Sequence, residues 1–540
     1  MTEAREDRSA AHRGALRHVD VAIVGYGPVG VTAANLLGAA GLSVVVIERE
    51  PEIYARARAI STDEEVMRIW QRIGLAEELK ADMLSDKRID FVDADGESFL
   101  DFKPVPRGNG HPSQLFIYQP ALEDTLRRGV ERYPNVEVWL GHESYRIVQD
   151  DDAVELLVAD LERDGVRHLR ATYVIAADGG SSPTRAQLGV GFEGSTYEDR
   201  WLVIDTEVLS EWPEHDRLRF HCDPARPAVD CPTPLGHHRW EFPVLPGEDE
   251  KQLATEESVW RLLDNQGITN EHVKVLRAVV YSHHVRFASR WRTGRVFLAG
   301  DAAHVMPPWI GEGMASGIRD AANLCWKLAA VLRGELPDSA LDSYATERQP
   351  HVREMTRDAA IVGRVITERR RPVAAIRNTV FRNVMRIPVV SNYLRAGDWF
   401  PDPYYPQGLR VGERAATGWL PPQPWVLDEH GERLRFDDAR GPEWTLLTLD
   451  RADVPASPQT PDRAWSHAGV RTLRLAPAGS APGPDTLVDV DDALVAWMRE
   501  RDAGVLVLRP DGFVFAAAPA PNLLPQSPML TRPHRQEEPA

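Results

Sequence analysis

Cysteine is nearly absent from this chain of 540 residues: Cys222, Cys231 and Cys325 are the only three, and none follows Cys325. They form no CxxC pair, and no His, Cys and carboxylate group stands at ligand spacing. The sequence therefore argues against a disulfide framework and against a metal centre. Ordinary reduced thiols in a cytoplasmic protein are expected. No apolar run approaches the roughly 20 residues needed to span a bilayer. Positive charge is also in deficit, with 63 Lys and Arg against 81 Asp and Glu, a formal net charge of −18 and a pI near 5.5. Such a surface repels nucleic acid and anionic membranes, so neither is an expected partner. A small anionic ligand would need a local basic pocket. No internal repeat is visible. Residues 1–18 are polar, mix Arg with Glu and lack an apolar segment, which predicts a disordered tail rather than a signal peptide.

What is present suits a globular enzyme: 43% hydrophobic and 27% charged residues. The length predicts two or three domains. Val19 to Val24 is a buried strand by composition. Gly25-Tyr26-Gly27-Pro28-Val29-Gly30 follows, then the small-residue helix Val31 to Ala40, then a second apolar run, Leu42 to Ile47, that ends at Glu48. This is a βαβ unit. Residues near 64–80 read as an amphipathic helix ended at Gly74-Leu75, and 119–132 as a helix opening with Gln119-Pro120. Residues 136–175 alternate like strands. From about 200 to 290, short strands separated by Pro and Gly suggest a sheet-built domain. Another buried strand, Val296 to Ala299, precedes a long helix at roughly 314–333, and 340–395 is Arg-rich and mostly helical. Pro401 to Pro424 reads as a linker, 425–517 as a small α/β module, and the remainder as a flexible tail.

Three motifs carry chemistry. Gly25, Gly27 and Gly30 form GxGxxG between a strand and a helix, where glycines allow a tight turn, approach of a pyrophosphate and close helix–strand contact. The helix start offers free N–H groups and a positive dipole end. Glu48, at the tip of the next strand, can accept hydrogen bonds from a ribose. This motif alone does not separate NAD from FAD. The second is Asp178-Gly179-Gly180-Ser181-Ser182-Pro183-Thr184-Arg185. The third is Gly300-Asp301-Ala302-Ala303-His304, followed by Gly-Glu-Gly-Met-Ala-Ser-Gly at 311–317. Asp301 can hydrogen-bond a ribityl chain. The N–H groups of 311–317 can face a flavin ring and stabilise its reduced, anionic form.

Together these motifs resemble the class A flavoprotein aromatic hydroxylases over roughly residues 19–395. Cys222 to Pro227, Arg239-Trp240-Glu241-Phe242, Met306 to Gly311 and Gly317 to Leu324 are similar to the 3-(3-hydroxyphenyl)propionate hydroxylase subgroup. The resemblance implies an α/β fold: a Rossmann-like FAD-binding domain of the GR2 type in two parts (19–200 and 291–400), a β-rich substrate domain (201–290), a linker (401–424), a thioredoxin-like domain (425–517) and a tail (518–540). The last domain is suggested by Arg509-Pro510-Asp511-Gly512-Phe513-Val514. Without cysteine it cannot run dithiol chemistry, so packing or homodimer formation is its expected role.

The resemblance also implies residue roles. Gly25, Gly27 and Gly30 surround the pyrophosphate, Glu48 meets the adenosine ribose, and Arg58 lies near the FAD phosphates. Gln119 contacts FAD, and Asp178 serves both FAD and the nicotinamide. Asp301 binds the ribityl hydroxyls. Pro307, Gly311, Gly313, Met314 and Ala315 flank the isoalloxazine, with Ala315 standing where many relatives have Asn. NADH or NADPH would reduce FAD, O₂ would add to give a C4a-hydroperoxide, and a small phenolic substrate would be hydroxylated ortho to its hydroxyl. His284 is a candidate base for the phenol; Arg226 and Arg239 are candidate partners for a substrate carboxylate. A polyketide-tailoring hydroxylase and a non-enzymatic dinucleotide-fold protein remain as alternatives.

Overall fold

A computed structural model describes residues 17–53, 58–397, 399–450 and 470–525, with the backbone alone at 195–199 and 283. Most of the two expected tails falls outside these residues. The apolar runs form a sheet whose parallel strands lie in the order Val296–Leu298, Gly165–Ala176, Arg17–Val24, Val44–Glu48 and Val136–Leu140. Val21, Ala22 and Ile23 are fully buried in succession. A strand needs such continuous apolarity when both faces of the sheet are covered. Gly25, Glu48, Asp178 and Asp301 all sit at or just beyond the carboxyl ends of these strands, the edge at which open parallel sheets bind ligands.

The helix Pro28–Ala39 starts with Pro, whose missing N–H costs nothing there. It packs closely on the helix Glu312–Leu332: a Cβ added at Gly317 would collide with the Val29 side chain and with Gly300 Cα. The helix read near 64–80 is two helices, Glu64–Arg72 and Ala76–Ala81, parted by Gly74 at φ +70°.

A second sheet orders its strands His304–Val305, Val273–Ala288, Phe192–Val208, His237–Pro243, Ala228–Thr233, Leu218–His221, Ile89–Val92 and Ser98–Phe102. Two of these are not short: they run 17 and 16 residues. The sheet also recruits 89–92 and 98–102 from far upstream, through parallel pairing of Ile89–Val92 with Leu218–His221.

The C-terminal sheet contains the order Arg471–Ala476, Thr445–Leu449, Val505–Leu508, Val514–Ala518. Its first pair is parallel and the next two are antiparallel, the order expected of a thioredoxin-like module. This module is not loosely tethered. Within 401–424, Tyr405, Leu409, Ala416 and Leu420 are buried, and Tyr405 stacks on Phe513. Arg68 meets Asp437 through two 2.8 Å hydrogen bonds, both side chains buried. No helix among the described residues is long and apolar enough to cross a membrane.

Candidate functional site

The carboxyl edge of the parallel sheet opens into a cavity of about 1320 Å³. That exceeds the usual range of about 300–1,000 Å³ for one drug-sized ligand, and leaves room for a large cofactor beside a small substrate. Gly25, Gly27, Glu48, Arg58, Gln119, Asp178, Asp301, Pro307, Gly311, Gly313 and Met314 all line it.

The three glycines of the first turn differ in what they make possible. Gly25 stands at φ +100°, where a Cβ would collide with the Ala177 carbonyl, and a Cβ at Gly30 would overlap the Gly25 carbonyl oxygen. Gly27 has nothing within 4 Å of its missing Cβ. Two glycines therefore close the turn and the third leaves an open face. Gly27 caps the helix Pro28–Ala39 without any side-chain hydrogen bond, so the helix start keeps its donors for a ligand. The Glu48 carboxylate accepts from the N–H groups of Tyr26 (2.6 Å) and Glu50 (2.8 Å), which fixes it at the rim.

Gln119, expected to contact FAD, lines the cavity and also braces the backbone beside it. Its Oε1 accepts from the N–H groups of both Arg58 and Ala59 at 2.8 Å, and its Nε2 donates to Glu123 at 2.7 Å. It holds the 58–59 backbone in place. Arg239 grips the same segment from the other sheet, donating to the Arg58 carbonyl at 3.0 Å.

Asp178 caps the short helix Pro183–Gln187, accepting from the Ser182 hydroxyl and from the Thr184 N–H. Arg185 then ties two motifs together by donating to the carbonyls of Gly180 (2.8 Å) and Ala302 (3.0 Å). Asp301 accepts no hydrogen bond among the described residues. Its side chain is open to the cavity, yet the surrounding protein keeps bulk water distant. Burial accordingly pushes its carboxyl pKa upward, against the opposing influence of His304 and Arg58.

The segment after Pro307 ends at Gly311, whose φ of +71° starts the helix Glu312–Leu332 without a side-chain cap. A second helix N-terminus thus faces the cavity. Ala315 does not line it: the methyl is fully buried in the main core. The small side chain is required by packing there, so any role beside a ring would fall to its backbone.

Sequence reasoning gave no role to Asp320, although Gly317 to Leu324 was singled out. Asp320 Oδ2 accepts from the Gly300 N–H (3.0 Å) and pairs with His304 Nε2 (2.6 Å), while Oδ1 pairs with Arg348 Nε (2.9 Å). Burial alone would raise its pKa. His304 and Arg348 outweigh that effect and hold it below the usual range. Asp320 therefore fixes the Gly300-Asp301 turn from behind.

A carboxylate cluster was missed too. Arg319 reaches Asp63 (2.7 Å), Glu65 (2.7 Å) and Glu312 (2.8 Å), three acids on one buried guanidinium. Burial and the nearby Asp63 push the Glu312 carboxyl up to about 8, against the pull of Arg319.

The remaining sequence candidates fall elsewhere. His284 lies on the strand Val273–Ala288 opposite Thr196, partly buried and outside the cavity lining. Arg226 pairs with Glu248 and donates to the Pro243 carbonyl at 2.9 Å. Arg239 is buried against Asp205 at 2.7 Å. Neither arginine is directed at a ligand, because internal partners already occupy both.

The FAD binding domain family model matches residues 18–359, and the HcaD C-terminal domain model matches 418–530. The chain belongs to the FAD binding domain family. Among its relatives, the 3-(3-hydroxy-phenyl)propionate/3-hydroxycinnamic acid hydroxylase of Burkholderia cenocepacia is 37% identical over 513 residues, covering 93% of this chain and 94% of that protein. The enzyme of the same name from Escherichia coli K12 is 33% identical over 512 residues, covering 93% and 92%. The fold is shared with solved structures. One is the flavin-dependent monooxygenase PieE in complex with FAD and substrate (TM-score 0.77, 23% identity, 93% and 96% covered). Another is the OxyS anhydrotetracycline hydroxylase from Streptomyces rimosus (TM-score 0.73, 26% identity, 93% and 96% covered).

FAD is the cofactor of this FAD binding domain protein, and the groups present fit it. The open face at Gly27 and two uncapped helix starts suit phosphates and an anionic ring. The Asp301 carboxylate, open to the cavity and accepting no hydrogen bond among the described residues, suits hydroxyl donors.

Proposed function

We propose that the protein is a monooxygenase that hydroxylates a phenol with a short carboxylate side chain, such as 3-(3-hydroxyphenyl)propionate, ortho to its hydroxyl. NADH or NADPH is the reductant. Bound FAD supplies the redox chemistry that activates O₂ for transfer of one oxygen atom. The carrying observation is the two-part cavity. One part is walled by the dinucleotide motifs, while the other is roofed by Ile89, Phe91, Leu100, Phe102, Leu218, Phe220 and Val229 from the second sheet, facing Trp309 and Phe381. Apolar walls of this kind hold an aromatic ring and keep water from the reactive flavin.

Arg395 is the candidate carboxylate partner. It lines the cavity next to Leu394 at the end of the helix Pro388–Ala396, and it makes no ion pair among the described residues. Three other guanidiniums of the wall differ: Arg107 pairs with Asp402, Arg319 with three acids and Arg501 with Glu500.

The test is product analysis with purified, FAD-loaded protein. 3-(3-Hydroxyphenyl)propionate should accelerate NAD(P)H oxidation and yield the ortho-dihydroxylated acid. Acceleration with H₂O₂ as the sole product would mark a non-productive effector. Turnover of a large polycyclic phenol in place of any carboxylated phenol would move the assignment to a tailoring hydroxylase.

A further inference from the structure

The register of the second sheet produces one row of directly paired residues that crosses six strands. Leu100 pairs with Phe91, Phe91 with Phe220, Phe220 with Val229, Val229 with Glu241, and Glu241 with Val203. Leu100, Phe91, Phe220, Val229 and Glu241 all line the cavity. A single carboxylate thus ends an otherwise apolar row on the roof of the substrate compartment.

Glu241 is unusual for such a position. Among the described residues it accepts no hydrogen bond, and its nearest cation is Arg239, at 3.8 Å. A structural carboxylate in an apolar wall is expected to be satisfied by donors, since leaving it bare is costly. A ligand-facing carboxylate set in an apolar stretch of wall is the arrangement that marks a functional acid or base.

Its place along the strand matters as well. Strand alternation puts Arg239 and Glu241 on one face of His237–Pro243, while Trp240 and Phe242 enter the core behind. Arg239 reaches the Arg58 carbonyl, in the segment that lines the cofactor part of the cavity. Glu241 therefore stands at the boundary between the cofactor and substrate compartments.

We propose that Glu241 is the catalytic base that takes the ring-hydroxyl proton of the phenolic substrate. The inference rests on the phenol-hydroxylase reading above. The phenolic O–H bond breaks, the proton moves to a Glu241 oxygen, and the electron pair stays on the phenolate oxygen, enriching the ortho carbon. One atom of O₂ then bonds to that carbon, whose hydrogen leaves as a proton. Glu241 returns its proton to the product. The ring proton goes to the new hydroxyl, and the other oxygen atom leaves as water, with a hydride from NAD(P)H (two electrons and one proton) and one proton from solvent completing the balance.

The charged groups around Glu241 come from every neighbouring element: Arg239 on its own strand, Asp205 and Arg277 from the two adjoining long strands, and the Cys231 thiol opposite Arg239. Burial raises the Glu241 carboxyl, against the influence of Arg239, while Asp205 pushes it further up. A raised carboxyl lies closer to a phenol in proton affinity, which improves general-base transfer.

The experiment compares wild type, Glu241→Gln and Glu241→Asp as FAD-loaded proteins, using whichever phenol the wild type converts. A wrong substrate assignment would therefore show in the wild type alone and leave the base assignment testable. The first readout is ionisation of the bound phenol against pH, followed by its ultraviolet difference spectrum without reductant. The wild type should bind phenolate at a higher pH than E241Q, by at least about one unit, because the ionised Glu241 carboxylate opposes a second negative charge until it takes the proton. Hydroxylation should fall by about 100-fold in E241Q, with H₂O₂ replacing product. A ring-fluorinated substrate with a more acidic hydroxyl should recover much of that loss, and E241D should retain part of the activity. Identical ionisation curves, or a deficit in E241Q that an acidic phenol does not relieve, would overturn the assignment. If E241Q fails to retain FAD, the ionisation curve of E241D decides by the same criterion: no shift rejects the proposal.

Discussion

Arg509 and Glu347 meet in a two-pronged ion pair, 2.7 Å from Nη1 to Oε1 and 3.1 Å from Nη2 to Oε2, with both side chains buried. Arg509 belongs to the C-terminal module, while Glu347 lies on the helix Ser343–Ile366 beside Arg348, which holds Asp320. Glu347 also takes Lys327 at 2.7 Å, from the helix that opens at Gly311. The C-terminal module therefore takes part in the packing behind the flavin site.

Arg509→Met should be strongly destabilising. Truncating one partner of a buried pair leaves the other charge uncompensated, at a cost of about 3–5 kcal/mol. Lys327 still faces Glu347, but the buried Asp511, which also pairs with Arg509, is left without that partner, so the loss should stay within that range. Chemical denaturation followed by flavin fluorescence should show earlier FAD release together with earlier unfolding. A variant with wild-type midpoints would show that the module is energetically independent.

Asp301→Ala should weaken FAD retention. A hydrogen bond to a charged group contributes about 1.5–3 kcal/mol, so the dissociation constant should rise about tenfold to hundredfold. Titration of the apoprotein with FAD, read by quenching of flavin fluorescence, measures this. Asp301 has no protein partner to lose, so the fold should be unaffected by the change. An unchanged dissociation constant would remove Asp301 from the ribityl site.

Glu312→Gln should stabilise the protein at alkaline pH. Folding raises the Glu312 carboxyl from 4.5 to about 8. A group raised by folding contributes its stability below the unfolded value and loses it as pH rises through the folded value. Wild type and variant should therefore match below about pH 4.5. The gap should open up to about pH 8, in favour of the variant, and stay constant above. Arg319 keeps Asp63 and Glu65 as partners in either case. Melting midpoints across this range at fixed FAD provide the check, and parallel curves would reject the assignment.

What the sequence revealed and what it hid follow one physical division. The demands on Gly25 and Gly30 are partly local: Gly25 stands at φ +100°, and a Cβ at Gly30 would overlap the Gly25 carbonyl five residues back, so the spacing was legible. Asp301 and Glu48 were legible because each follows a strand whose apolar run marks its end. By contrast, Arg509 and Glu347 are separated by 162 residues, and Arg68 and Asp437 by 369. Nothing in composition or periodicity pairs them. Glu241 stands in the stretch Arg239-Trp240-Glu241-Phe242, but nothing local marks it, because the row it joins is built with strands 89–92 and 98–102 from far upstream. His284 was favoured by its closeness along the chain to the flavin motif, which does not determine where a strand residue points.

Arg395→Ala should separate recognition of the substrate carboxylate from the oxidation chemistry. Arg395 stands at the end of an apolar wall that includes Leu394 and Phe381, and its guanidinium makes no ion pair among the described residues. A carboxylate on a short side chain could then reach it while the ring packs under the sheet. The group is exposed, so solvent and salt reduce what the contact contributes. The loss should be near 1 kcal/mol or slightly more, raising KM by about five- to tenfold. Because the contact exists before and during oxygen transfer, kcat should change little. A neutral phenol of similar size should be unaffected, and raised ionic strength should narrow the gap between wild type and variant. Steady-state kinetics with 3-(3-hydroxyphenyl)propionate and a neutral analogue, at two salt concentrations, measure all three. An equal loss for both phenols would mean that Arg395 supports the wall itself, and no loss for either would place the carboxylate elsewhere in the cavity.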